Sequence, residues 1–144
     1  MTLPIDAYPD LLDGTPAPLL PTDVEPLNDA DIAHIIWGHA WGFGEPGKTL
    51  FPAGWSPVDI SSAVQSALWS QGVTRSLSRT ATGVLIRALV EGVIIALPLD
   101  ELDHSWVLMT AYPVCGEGVC RMTAASGLQP VPLNINELSR TLGL

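Results

Sequence analysis

Two histidines and a lysine lie close together in "HIIWGHAWGFGEPGKT": His34, His39 and Lys48. An imidazole can give or take a proton near neutral pH. Lys48 is the only lysine in the chain, and it follows His39 by nine residues in a glycine-rich stretch. Two imidazoles and a fixed cation are the minimal set for cleaving RNA without a metal. One imidazole takes the proton of a 2′-hydroxyl, whose oxygen attacks the adjacent phosphorus. The other protonates the departing 5′-oxygen, and the lysine stabilises charge on the non-bridging oxygens. Each well-placed acid or base is worth roughly 10²–10⁴-fold.

The same stretch matches the nucleotide-binding pattern G-x-x-x-x-G-K-[ST], from Gly42 to Thr49. That loop works only between a hydrophobic strand and a helix that starts at the Lys-[ST] pair, because the helix supplies N–H groups and its dipole to the phosphates. Here "WGHAW" precedes it, with no strand run, and Pro52, Gly54 and Pro57 follow it and bar a helix for two turns. The pattern stands in the wrong context, and Lys48 serves another purpose.

The elements around these residues can be read from capping and periodicity. A short helix starts at Asn28 or Asp29, with Asp29 and Asp31 in its first turn and Ile32, Ile35 and Ile36 at helical spacing; Gly38 is expected to stop it. "SPVD" at 56–59 has a cap, a proline in the first turn and an acid three residues on, so a second helix follows with Ile60, Val64, Ala67 and Leu68 on one face. "GVLIRALV" and "GVIIALPL" flank Glu91-Gly92 as a hairpin, "SWVLMTAYP" reads as a third strand and "VCRMTA" as a fourth. A last short helix spans "NINELSRTL". Short helices followed by antiparallel strands make the fold class α+β.

The 144 residues suggest one domain, and with 47% hydrophobic against 15% charged residues there is ample material for a core. The most apolar stretch is interrupted by Arg87 and Glu91, which favours strands over a membrane span, and no signal peptide is visible at the start. Of the net charge of −9, residues 1–31 hold seven acids and no Lys or Arg, which leaves the remainder near neutral. Residues 1–27, with six prolines, read as an acidic linker or wrapping arm ahead of a domain at 28–144. No broad basic patch of the kind that drives strong non-specific nucleic-acid binding is present. Trp37, Trp41 and Trp55 flank the glycine-rich loop and suit core packing better than base stacking. His104 reads as a turn residue without ligand-like spacing to the other histidines. Cys115 and Cys120 enclose "GEGV"; across a tight hairpin they could form a disulfide in an oxidising compartment, and in cytosol they would be free thiols.

"HIIWGHAWGFGEPGKTLFPAGWSPVDI" followed by "TAYP" resembles the bacterial EndoU-type endoribonuclease domain, over about residues 32–113. The Pro46–Ser56 block and Thr110–Pro113 carry the resemblance most closely. It implies His34 and His39 as the acid/base pair, Lys48 as the phosphate-stabilising cation, and Thr110 and Tyr112 as substrate contacts to the base and sugar. Thr110 and Tyr112 are two apart, so on a strand they would face the same side. The family fold is α+β with antiparallel sheets, akin to ribonuclease A-like and barnase-like toxins. Its activity is metal-independent RNA cleavage, often at uridylates or in tRNA, leaving a 2′,3′-cyclic phosphate and needing no cofactor. Such domains are secreted or delivered into target cells as polymorphic toxins in bacterial competition, and they imply RNA as substrate and a cognate immunity protein as partner. Only Ile35, Ile36, Trp37 and Gly38 separate the two histidines here, where the family has a longer glycine-rich loop. A continuous helix would turn them about 140° apart, so Gly38 is expected to break it and return His39. The short interval and the few bases leave a catalytically impaired EndoU-fold binding module as the alternative.

Overall fold

Polar caps set where each helix begins. The structure, a computed structural model, describes Val24 and residues 28–40, 47–102, 105–123 and 127–143. Most of the acidic leader, the loop containing Gly42, the Trp41 and His104 positions and the Trp37 side chain lie outside the described residues. Asn28 caps α1 (Asp29–His39): its Oδ1 accepts from the Asp31 amide at 2.9 Å, and Asp31 accepts from the Asn28 amide at 3.2 Å. Ser56 and Asp59 make the same reciprocal pair at the start of α2 (Pro57–Trp69), at 3.1 and 2.9 Å. Asn134 caps α3 (Ile135–Leu142), which ends on the left-handed Gly143. Each such cap satisfies amides that the helix itself leaves without partners.

Gly38 does not stop α1, contrary to expectation. The helix runs through it to His39, and the cap amide of Ala40 still donates to the Ile36 carbonyl. A glycine near the end of a helix lacks a strong reason to break it when flanking residues are anchored, and here Ile35 and Ala40 are both buried. α2 closes at Trp69, and Gly72 forms the turn into the sheet at φ 83°. Arg75 secures that end by donating to the carbonyls of Ser66, Ala67 and Ser70.

The larger sheet contains β2 (Thr74–Arg79), β3 (Gly83–Val90), β4 (Val93–Leu102), β5 (Ser105–Leu108) and β6 (Tyr112–Gly116), all antiparallel. The expected hairpin is β3–β4, with Val90 opposite Val93 and the turn residues Glu91 and Gly92 at φ 52° and 77°. Two positive φ values match the turn to the twist of the strands. β3 covers one edge of β4 along its length, so β5 and β6 share the other edge end to end. The third strand expected over "SWVLMTAYP" is therefore two strands. From Leu99↔Leu108 to Ala96↔Tyr112 β4 advances three residues and the opposite chain four, and Met109–Ala111 take up the extra one.

A smaller sheet pairs β1 (Thr49–Leu50) with β7 (Cys120–Thr123) and β7 with β8 (Gly127–Pro130). α2 buries Ile60, Ala63, Val64, Ala67 and Leu68 in the main core with Val84, Ile86, Ala88, Ile95 and Leu97 of the large sheet and Ile35 of α1. α3 packs on the opposite face, where Glu137 lies 3.6 Å from Arg87 and Ser76 donates to the Arg140 carbonyl. The fold is thus α+β with antiparallel sheets. Among the described residues no helix is long and apolar enough to cross a membrane.

Candidate active site

His39 falls on the inward stripe of α1, four residues after the buried Ile35, which places it one turn further along the same face. Strand β1 and the residue after it then hold it twice. Its carbonyl accepts from the Phe51 amide at 2.8 Å, and its ring Nδ1 lies 2.8 Å from the Thr49 carbonyl. A carbonyl can only accept, so Nδ1 carries the proton, and in the neutral ring Nε2 has the lone pair. Burial pushes the His39 pKa below the ordinary histidine value; the charges of Lys48 and His34 push the same way, and the bond to Thr49 opposes them. The outcome is a half-buried imidazole biased toward its neutral form.

Thr49 joins this histidine to the strand bearing Tyr112. While its carbonyl accepts from His39, its buried hydroxyl donates to the Pro113 carbonyl at 2.5 Å. The Tyr112 ring stands 5.7 Å from the His39 ring, tilted by 32°. Lys48 is exposed, and its backbone is clamped to β7: Gly47 donates to the Met122 carbonyl at 2.6 Å and Met122 donates to the Lys48 carbonyl at 3.0 Å. Its ammonium lies beside the last turn of α1, where a methyl placed on Gly38 would meet Nζ at 3.9 Å. A cation there also suits the negative end of the helix dipole.

His39, Lys48, Tyr112 and Arg121, with Gly47, Thr49, Pro113 and Val114, line a cleft of about 320 Å³. His34 and Thr110 do not line it. They border a neighbouring hollow of about 110 Å³ with Asp31, Ile35, Leu108 and Met109. Two causes separate the predicted set. α1 is continuous, so His34 and His39 are turned about 140° apart, and His34 is exposed. Thr110 lies in the break between β5 and β6, so the two-residue alternation that would align it with Tyr112 does not apply. The His34 charge still acts on His39, five residues further along the same helix.

Lys48 and Thr49 enter a strand and not a helix, so the residues that match the nucleotide-loop pattern lack the helix terminus such a loop requires. Trp55 stacks on Phe51, ring centres 5.7 Å apart, and packs against the core. Cys115 and Cys120 are free thiols. They do not face each other across a hairpin, because the chain leaves the large sheet at Gly116 and Cys120 pairs with Leu50 in the small one. Burial, with a smaller contribution from the charge of Glu137, raises the Cys115 pKa against a hydrogen bond to the Asn134 backbone.

The sequence pattern did not single out Thr49 or Arg121. Thr49 could have been noted as the residue joining Lys48 to an apolar pair, Leu50-Phe51, and Arg121 as one of only six bases, set in a strand. No protein-family model, no curated protein and no solved structure matches the chain.

Proposed function

We propose that the domain is a metal-independent endoribonuclease of EndoU type, acting by 2′-hydroxyl attack to leave a 2′,3′-cyclic phosphate. The observation that carries this reading is the fixed tautomer of His39 beside Lys48 in one cleft. With Nδ1–H held by Thr49, Nε2 is available to take the 2′-hydroxyl proton. The attacking oxygen forms its bond to phosphorus, and the Lys48 ammonium stabilises charge on the non-bridging oxygens. Tyr112, 5.7 Å from the imidazole, offers a ring face to the sugar or base. His34, from the adjoining hollow, protonates the departing 5′-oxygen, and Thr110 beside it contacts the neighbouring base. The fold support is general: α+β with antiparallel sheets. Delivery as a toxin, and an immunity protein that blocks the cleft, belong to the same proposal.

A catalytically impaired RNA-binding module is the second reading, and one observation favours it: the two histidines leave a continuous helix in different directions and border different hollows. A single assay separates the two. Labelled RNA incubated with excess chelator should yield cyclic-phosphate ends, with His39→Ala and Lys48→Ala each slower by about 10²-fold or more. Cleavage that required an added divalent cation would overturn the metal-free mechanism. Salt-sensitive RNA binding without any cleavage would establish the binding module instead.

A further inference from the structure

Arg121 is a charged cleft residue with no part in the chemistry above. The other arginines with contacts described above are engaged: Arg75 closes α2, and Arg87 and Arg140 lie against Glu137. Arg121 is exposed, lines the His39–Lys48–Tyr112 cleft, and has no carboxylate within ion-pair distance among the described residues. A guanidinium is a planar fork matched to phosphate oxygens.

Arg121 and Lys48 are carried on different segments of the cleft. Thr49 stands opposite Arg121 in the β1–β7 ladder. Lys48 precedes β1, and its backbone is bonded to Met122, one residue beyond Arg121 on β7. The two cations therefore enter one cleft from adjacent antiparallel segments, fastened by the Gly47–Met122 and Met122–Lys48 hydrogen bonds. Two cations carried on separate segments of one cleft offer a place for two anionic groups in series.

We propose that Arg121 forms a second phosphate subsite, binding the RNA backbone phosphate next to the one held at His39 and Lys48, so that the cleft reads at least two consecutive phosphates. The proposal rests on the ribonuclease reading of the same cleft, and it makes the enzyme one that favours oligonucleotides over dinucleotides.

The test compares wild type with Arg121→Gln and Arg121→Lys on a dinucleoside monophosphate, which has one phosphodiester, and on a hexanucleotide RNA. Loss of a charged hydrogen bond should lower kcat/KM on the hexanucleotide about tenfold, chiefly through KM. The loss on the dinucleotide should be several-fold smaller, and lysine should recover part of it. Equal losses on both substrates would assign Arg121 to the scissile phosphate and overturn the subsite, as would no loss on either. Binding of an uncleavable 2′-deoxy hexanucleotide provides a readout independent of turnover. Its log affinity against log salt should flatten by about 0.7 in Arg121→Gln, the value for one single-strand phosphate contact. Should wild type cleave neither substrate, the ribonuclease reading fails, and this slope alone decides the subsite: flattening supports it and an unchanged slope refutes it.

Discussion

At the scale of single residues, the site depends on what surrounds one imidazole. Desolvation first, then the Lys48 and His34 charges, hold the His39 pKa low, and the Thr49 carbonyl only partly offsets them. By nuclear magnetic resonance the His39 ring should titrate below about 6.5. Lys48→Met should raise that midpoint without restoring it, because burial remains; an unmoved midpoint would show that Lys48 does not act on the ring. The sign for stability follows. A depressed histidine favours the neutral fold, so its contribution is intact above about 6.5 and is lost as pH falls toward the folded value, where the unfolded chain takes up the proton first. Thr49 acts through its two partners. Thr49→Val keeps the carbonyl that holds His39 but removes the hydroxyl bonded to the buried Pro113 carbonyl, which should cost about 1 kcal/mol in urea unfolding. The same change should lower kcat by loosening the strand that bears Tyr112, and Thr49→Ser should recover both losses. Failure of serine to recover activity would separate Thr49 from the site.

At the scale of elements, α1 decides how the histidines are displayed. Because the helix is continuous, Gly38 sits in a helical turn where alanine is the better residue by about 0.5–1 kcal/mol. The space is available, since an added methyl meets only the end of Lys48 at 3.9 Å. Gly38→Ala should therefore raise the urea midpoint modestly; a lower midpoint would mean that the glycine bends or breaks the chain there. The break between β5 and β6 is the second element that matters. It lies where "MTA" fits no uniform alternation against β4, and it sends Thr110 toward His34 and Tyr112 toward His39. The helix starts were legible because each is written in a few adjacent residues, such as Ser56-Pro57-Val58-Asp59. Strand β2 and the short β1 and β8 were not, because polar "TRSLSR" and two- or four-residue pieces take their strand form from partners distant in sequence.

At the scale of the whole molecule, the cleft exists because the chain passes from one sheet to the other. Gly116 makes that passage at φ 144°, and a methyl there would lie 2.5 Å from the Gly92 carbonyl oxygen and 2.7 Å from the Val93 Cα. Gly116→Ala should cost on the order of 1–3 kcal/mol or more, read as a lower urea midpoint with unchanged m-value. A neutral result would mean that the two sheets adjust independently. The α+β class, the β3–β4 hairpin, the three helices of the described residues and the grouping of His39 with Lys48 could be read from the chain alone, since caps, period and short spacing are local properties. Tertiary structure decided which expected partners share a cleft. Whether α1 continues past Gly38 depends on Ile35 and Ala40 being buried, and whether Thr110 and Tyr112 share a face depends on their register against β4. Both are set by packing between segments far apart in sequence, as is the arrival of Arg121 opposite Thr49.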